Sequence, residues 1–261
     1  MNNIISIHSY RGGTGKSNTS ANVCAILAEK GLRVGLVDTD IPSPGIHVLF
    51  GLEEEDMGKT LNDYLFGRCE IAEAAQDVTH RLGVPVSGKV YLVPSSINPS
   101  EIAKIVREGY DPIILNDGFE DLLEDLDLDV LVIDTHPGLN DETLLSIAVS
   151  DALAIILRPD QQDYQGTHVT VQVAKRLHVP NLYLLVNKAP EILDPVQVKE
   201  QVEETYEVQT AAVIPHSDEM MALASSGIFA LHYPDHHITQ KMRIVAELLL
   251  GEEDPVSFGG D

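Results

Sequence analysis

The feature that most constrains this chain is a glycine-rich segment at residues 11–17. A short apolar run containing Ile4, Ile5 and Ile7 precedes it, and residues 18–30 behind it carry a helical pattern. The segment reads Arg11-Gly12-Gly13-Thr14-Gly15-Lys16-Ser17. A strand, a glycine-rich turn ending in Lys-Ser and a helix form the context that a phosphate-binding loop requires. The segment therefore predicts a nucleotide site at a strand–helix junction.

Each residue type in this segment has a chemical reason to bind phosphate. Gly12, Gly13 and Gly15 allow backbone N–H groups to converge on phosphate oxygens, and the N-terminus of the following helix adds partial positive charge. We expect Lys16 to reach the β- and γ-phosphates and the Ser17 hydroxyl to ligate Mg²⁺. The alternative is a tight glycine turn with a surface lysine, which does not explain its position between strand and helix.

Composition narrows the class of protein. The 261 residues, 44% of them hydrophobic, are enough for one large α/β domain with a sizeable core, or at most two domains. Lys and Arg total 17 against 41 Asp and Glu, a formal net charge of −24. A field of that sign repels nucleic acid and anionic lipid surfaces at long range, so it disfavours nucleic acid as a partner. The two cysteines fit neither a disulfide nor a metal-binding pattern.

Apolar runs alternate with helical patterns along the chain. Strand-like runs after the first one lie at residues 34–37, 90–93, 130–133, 153–157, 183–186 and 211–214. This alternation indicates an α/β fold with a mostly parallel, doubly wound sheet covered by helices on both faces. Such sheets bind ligands at the carboxyl ends of their strands. We expect a single domain over residues 1–251, followed by an acidic, glycine-rich tail over residues 252–261.

Acidic residues follow two of the other strands. Asp38 and Asp40 emerge on the same side of the second strand if it continues that far, where they can hold Mg²⁺-bound water and position the attacking water. Asp134 ends the run at 130–133, and an apolar strand ending in Asp is the Walker B signature, in which the carboxylate holds Mg²⁺ through water. For the nearby His136 we favour a hydrogen-bonding or dimer-contact role over that of a base.

The phosphate-binding segment departs from the ordinary pattern G-x-x-x-x-G-K-[ST], because Tyr10 stands in place of the first glycine. What remains resembles the deviant Walker A loop of the MinD/ParA family of dimerising ATPases, usually K-G-G-x-G-K-[ST]. The leading lysine of that family reaches across a dimer interface to the partner subunit's ATP. Arg11 occupies this place and offers a planar fork suited to phosphate. We expect Arg11 to act across the dimer; the alternative is that it neutralises phosphate in its own subunit.

The resemblance covers nearly the whole chain and implies roles for further residues. It implies that Asp40 orients the attacking water while Asp38 supports the metal shell, and that Asn187 and Pro215 contact adenine. The implied catalytic residues are Lys16, Asp40, Arg11 and Asp38; the implied ATP-binding residues are Gly12, Gly13, Thr14, Gly15, Lys16, Ser17, Asn18, Asn187 and Pro215; the implied Mg²⁺ site consists of Ser17, Asp38 and Asp134.

The function that the resemblance implies is an ATP-dependent dimerising switch. Two subunits would enclose two ATP molecules, bind a partner, and release it after a hydrolysis that is slow until a partner protein stimulates it. The family often positions cargo, such as division machinery, plasmids, chromosomes, flagella or organelles including carboxysomes. We expect a cytoplasmic protein, because the sequence shows neither a signal peptide nor a long apolar span. The basic amphipathic membrane-targeting helix of MinD proteins is not evident either.

Other interpretations remain open. A nucleotide-gated regulatory protein with little or no hydrolysis is the first, although the intact lysine, serine and aspartates of the site favour hydrolysis. An iron–sulfur cluster carrier would need cysteines that bridge a dimer or form a C-x-x-C pair, and no such pattern is evident. A P-loop synthetase or kinase would need a second substrate pocket, which the sequence does not reveal.

Overall fold

A computed structural model describes residues 3–223 and 225–252. The strands are β1 Asn3–His8, β2 Arg33–Asp38, β3 Gln76–Asp77, β4 Lys89–Val93, β5 Val130–Asp134, β6 Ala152–Leu157, β7 Asn181–Ala189 and β8 Thr210–Pro215. The α-helices are α1 Lys16–Glu29, α2 Ile46–Leu49, α3 Leu61–Leu65, α4 Ile71–Ala74, α5 Pro99–Glu108, α6 Pro112–Asp125, α7 Asp141–Ala148, α8 Gln161–Arg176, α9 Pro195–Tyr206, α10 Asp218–Leu223, α11 Phe229–His232 and α12 His237–Leu249.

Across the described residues the eight strands form one sheet with the order β3-β4-β2-β5-β1-β6-β7-β8. The short β3 runs antiparallel to β4, and the other neighbouring strands are parallel. The predicted α/β fold with a mostly parallel sheet is confirmed, and each predicted apolar run lies in a strand. Only β3 was missed, because its two residues are too few to show an alternation of apolar and polar side chains.

Helices cover both faces of the sheet, and the side chains of each strand alternate between the two cores. On one face, α1 and α12 pack over a core that includes Leu36 and Val132. On the other face, α6 covers Val37 and Ile133, and α8 covers Ile155. Because the strands are buried on both sides, they read as continuous apolar runs in the sequence.

The parallel pairing brings the carboxyl ends of the central strands to the same edge of the sheet. Asp38, the last residue of β2, lies directly opposite Asp134, the last residue of β5. Ile7 near the end of β1 also pairs with Asp134. The loops that follow β1, β2 and β5 therefore start side by side.

Two expectations from the sequence concern membrane-spanning helices and the C-terminal tail. Within residues 3–223 and 225–252, the helices include none with the length and apolarity needed to cross a membrane. Of the predicted tail over 252–261, only Glu252 lies within the described residues; it forms an ion pair with Lys30 at 2.6 Å between Oε2 and Nζ. The division into a domain and a tail remains a prediction.

Gly88, just before β4, lies where the chain closely approaches the turn between α1 and β2. A Cβ atom at Gly88 would overlap the backbone carbonyl oxygen of Leu32. We expect Gly88→Ala to lower the free energy of unfolding in urea by about 1–3 kcal/mol, because this backbone would have to shift. Gly45→Ala is the matched control, since its Cβ would meet no described atom within 4 Å. Equal losses in the two variants would contradict this prediction.

Candidate functional site

The loop between β1 and α1 has the backbone geometry of an anion site. Gly13 and Gly15 adopt positive φ angles of 76° and 102°, a region in which a side chain is strained. A Cβ at Gly15 would also lie only 2.5 Å from the side-chain nitrogen of Asn187. Gly15 is the N-cap of α1, so the chain turns directly into the helix. The first N–H groups of α1 have no acceptor within the helix and carry its partial positive charge.

A cavity of about 330 Å³ lies over this loop. Its walls combine the loop and the start of α1 with residues that follow β2 and β5 and with Lys188 near the end of β7. The lining residues are Gly12, Gly13, Gly15, Lys16, Ser17, Asn18, Asp40, Ser43, His136, Pro137 and Lys188. The structure thus brings the phosphate-binding loop and Asp40 together at one cavity, as expected for parallel strands that end at the same edge.

Lys16 supplies positive charge to this cavity. Its side chain is 7% exposed, and its Nζ lies 4.0 Å from Oδ2 of Asp40, at the outer limit of an ion pair. A largely buried ammonium needs a close anionic or hydrogen-bonding partner. A phosphate group in the cavity would provide one.

Asp134 and Ser17 form the oxygen pair expected at a magnesium site. Ser17 Oγ donates to Asp134 at 2.7 Å, and Ser20 Oγ donates to the other carboxylate oxygen at 2.9 Å. Burial raises the pKa of Asp134, and the nearby charge of Lys16 opposes that rise. Hydroxyl and carboxylate oxygens are ligands that suit Mg²⁺. In the described residues no group of three or more His, Cys, Asp or Glu side chains could hold a metal ion.

Asp38 lies behind this pair and is fully buried. One of its oxygens accepts from the backbone N–H of Asp40 at 3.0 Å, and the other accepts from that of Gly45 at 3.2 Å. Burial, followed by the proximity of Asp134, raises the pKa of Asp38 well above its ordinary value. These contacts hold the loop after β2 in place. The predicted role of Asp38 in the metal shell remains a prediction.

Asp40 and His136 meet inside the cavity. His136 Nδ1 lies 2.7 Å from Asp40 Oδ1. The prediction that His136 belongs to a hydrogen-bonding loop agrees with this contact. Sequence reasoning did not identify its partner, because the two residues are 96 positions apart.

The structure adds His8, which sequence reasoning missed. His8 ends β1 and is fully buried; its Nδ1 lies 2.7 Å from Thr135 Oγ1, which donates to the carbonyl oxygen of Ile7 at 3.1 Å. Nδ1 therefore carries the proton, and Nε2 has no hydrogen-bond partner among the described residues. Burial, followed by the charge of Lys16, lowers the pKa of His8 to about 3. The available signal was a polar residue at the end of an apolar strand, directly before the glycine-rich loop.

Asn187 and Lys188, at the end of β7, support the phosphate-binding loop. Asn187 Nδ2 donates to the carbonyl oxygen of Thr14 at 2.8 Å, and Asn187 Oδ1 accepts from the N–H of Lys188 at 2.9 Å. Lys188 Nζ donates to the carbonyl oxygen of Gly13 at 2.7 Å. Lys188 also lines an adjacent cavity of about 640 Å³, which Pro215 lines as well. The predicted adenine contacts of Asn187 and Pro215 remain predictions, and Lys188 joins the candidate residues.

Tyr10 and Arg11, the two departures from the usual loop patterns, both contact α8 or its N-cap. A Cβ on Gly166 in α8 would overlap the Tyr10 ring, so the glycine makes room for the tyrosine. Arg11 Nη1 lies 3.2 Å from Asp163 Oδ1 and 3.5 Å from Asp160 Oδ1, and the arginine side chain is 38% exposed. Arg11 is therefore engaged within its own subunit, and its action across a dimer remains a prediction.

Comparison with known proteins agrees with this geometry. The family model described as "AAA domain" matches residues 2–184. The chain belongs to this family. Solved structures with a similar fold include the MinD cell division protein of Aquifex aeolicus, at 20% identity, a TM-score of 0.78, and coverage of 97% of this chain and 99% of that one. The MinD of Pyrococcus horikoshii complexed with Mg-ADP has a TM-score of 0.77 at 24% identity, covering 99% and 98% of the two chains.

Several curated proteins are similar to this chain in sequence. An uncharacterized ATP-binding protein of Methanocaldococcus jannaschii is 27% identical over 248 residues, which cover 95% of this chain and 87% of that protein. The antiactivator FleN of Pseudomonas aeruginosa is 27% identical over 67% of this chain and 57% of its own length. An iron–sulfur cluster carrier protein of Pyrococcus abyssi is 27% identical over 70% of this chain and 60% of its own length. The resemblance to MinD/ParA-type P-loop ATPases is thus confirmed.

The buried His8 predicts a pH dependence of stability. Its pKa is about 3 in the folded protein against 6.5 for an ordinary histidine, so the unfolded chain binds more protons between these values. Stability should therefore fall as the pH falls below about 6.5, by about 1.4 kcal/mol per pH unit from this residue. His8→Asn keeps a donor for Thr135 but does not titrate. Urea unfolding at pH 7 and pH 5 should show a loss about 2 kcal/mol larger in the wild type than in the variant. The same pH dependence in both proteins would contradict the prediction.

Proposed function

We propose that this chain is an ATP-dependent dimerising switch that hydrolyses ATP and controls the positioning or partitioning of an intracellular cargo. The observation that carries the proposal is the convergence of Lys16, Ser17 and Asp40 on one cavity above the phosphate-binding loop, with the buried Asp134 hydrogen-bonded to Ser17. These groups supply charge for the phosphates, oxygens for a divalent ion and a carboxylate for water.

The residues divide the chemistry of hydrolysis among them. Lys16 and the N-terminus of α1 stabilise negative charge on the β- and γ-phosphates. Ser17 and Asp134 would hold Mg²⁺, which when bound neutralises phosphate charge and orients the triphosphate. Asp40, which lines the same cavity, orients the attacking water. Slow turnover until a partner protein stimulates it would make the bound state long-lived.

The positioning role is supported by the proteins that share this fold. The Aquifex aeolicus protein is named a cell division protein, and the Pyrococcus horikoshii protein is named septum site-determining. The cargo of the present chain could be division machinery, a plasmid or chromosome, flagellar machinery or an organelle. Its formal net charge of −24 favours a protein partner over direct binding to nucleic acid.

A second candidate function is a nucleotide-gated regulatory protein with little or no hydrolysis. The observation that favours it is the position of Arg11, which contacts Asp163 and Asp160 of its own chain. Both functions share the ATP site but differ in turnover and in nucleotide-dependent dimerisation.

Light scattering on the Asp40→Ala variant separates the two functions. The variant should bind ATP but turn it over at least about 10-fold more slowly, because the attacking water loses its orienting carboxylate. It should therefore accumulate as a dimer with Mg-ATP and remain a monomer with Mg-ADP. Lys16→Ala is the control and should not bind ATP, because the phosphates lose their central cation.

A mass that does not depend on nucleotide would reject the dimerising switch and favour the regulatory protein. Wild-type turnover in Asp40→Ala would reject the water-orienting role of Asp40. Unchanged ATP affinity in Lys16→Ala would reject the assignment of the site itself.

Arg11→Ala tests whether this arginine acts across the dimer. The variant should weaken the ATP-dependent dimer at least about 10-fold while leaving ATP binding by the monomer nearly unchanged, because the lost contact would be to the partner's phosphates. Arg11→Lys should restore part of the affinity, since it keeps the charge but not the fork. Analytical ultracentrifugation with Mg-ATP measures the dimer. Equal dimerisation of wild type and Arg11→Ala would reject the trans contact.

A further inference from the structure

The loops after β2 and β5 are joined by one pair of side chains, Asp40 and His136. Asp38 and Asp134 end these strands opposite each other. The backbone pairing continues one residue further, because the N–H of Thr39 donates to the carbonyl oxygen of Asp134 at 3.0 Å. Side chains of extended backbone alternate with a period of two. Residue 40 is two positions beyond Asp38, and residue 136 is two positions beyond Asp134. Their side chains therefore lie on the same side of the sheet and face each other.

The contact between them is short and well shielded. Nδ1 of His136 lies 2.7 Å from Oδ1 of Asp40. Their side chains are only 27% and 13% exposed, so water competes little for this hydrogen bond. A carboxylate only accepts, so Nδ1–H donates to it, and a hydrogen bond to a charged group is among the stronger kinds.

The second oxygen of Asp40 shows why this hydrogen bond matters. Oδ2 lies 4.0 Å from Nζ of Lys16. A carboxylate that was free to rotate would move onto the ammonium and form a close ion pair. Such a pair would withdraw the Lys16 charge from the phosphates and the Asp40 oxygen from the water. By holding Oδ1, His136 opposes this collapse.

Each partner is also anchored within its own loop. The backbone N–H of Asp40 donates to Asp38 Oδ1 at 3.0 Å. The carbonyl oxygen of His136 accepts from Thr143 Oγ1 of α7 at 3.2 Å. The hydrogen bond between the side chains therefore connects the loop after β2 to the beginning of α7.

We propose that His136 is a positioning residue for ATP hydrolysis. Its Nδ1–H aims the Asp40 carboxylate at the attacking water and makes the two loops respond together to the γ-phosphate. This inference rests on the proposed function, in which Asp40 orients that water. The pairing of β2 with β5 brings the imidazole of His136 next to the carboxylate of Asp40.

Steady-state kinetics with three substitutions at one position test the proposal. His136→Ala should lower kcat about 10- to 100-fold, because the carboxylate loses its orientation, while KM for ATP changes less than about twofold. His136→Asn places an amide N–H near the position of Nδ1 and should recover most of kcat. His136→Gln places its amide near the position of Nε2 and should recover little. His80→Ala, an exposed histidine away from the cavity, is the control for loss of a histidine.

A spectroscopic measurement reads the hydrogen bond independently of turnover. Long-range ¹H–¹⁵N NMR of the wild type should show a proton on Nδ1 of His136, the nitrogen that faces Asp40. In Asp40→Ala the proton should shift towards Nε2, because the acceptor is gone. The Asp40→Ala variant binds ATP under the proposed function, so its fold can be checked by nucleotide binding.

The outcomes distinguish the two proposals. Normal wild-type turnover with an unchanged kcat in His136→Ala would overturn the positioning role and leave the proposed function in place. Recovery by His136→Gln but not by His136→Asn would overturn the role of Nδ1. Absence of wild-type turnover would reject hydrolysis in the proposed function. NMR alone would then test the hydrogen bond from His136 to Asp40. If the proton of His136 lay on the same nitrogen with and without Asp40, this hydrogen bond would be rejected.

Discussion

The parallel pairing of β2 with β5 is the constraint on which the site depends. It places two fully buried carboxylates, Asp38 and Asp134, opposite each other at the edge where the phosphate-binding loop begins. Two buried carboxylates destabilise each other, and burial disfavours their charged forms. The arrangement is tolerated because Ser17 and Ser20 donate to one and backbone N–H groups donate to the other. The hydroxyl and backbone donors around the two carboxylates thus offset part of the cost of burying them.

Two cations near the phosphate-binding loop are held by groups of their own chain. Lys188 donates to Gly13, and Arg11 is bound by Asp163 and Asp160. Both cations come from positions next to the glycine-rich loop and can contact an anion only by changing these partners. Lys16, by contrast, lies 4.0 Å from Oδ2 of Asp40, at the outer limit of an ion pair. Its charge is therefore held less closely than those of Lys188 and Arg11.

Much of the fold and the centre of the site could be predicted from sequence because their signals are local. Glycines followed by Lys16 and Ser17, an apolar strand ending in Asp134, and the alternation of strands and helices each lie within a short segment. The contacts of Asp40 with His136, of His8 with Thr135 and of Asn187 with Thr14 could not be predicted in this way. Their partners are 96, 127 and 173 residues apart in sequence, and no local pattern records which residues meet.

By itself the sequence determined the nucleotide-binding loop, the parallel α/β architecture and the edge of the sheet at which the polar residues gather. These follow from backbone freedom at glycine, from the periodicity of apolar residues and from the rule that parallel strands end on one side. Only the tertiary structure decided that Asp38 binds the loop that follows it, that Arg11 contacts α8 within its own subunit, and that His136 holds Asp40. Those outcomes depend on strand register and side-chain packing, which arise from contacts across the whole sheet.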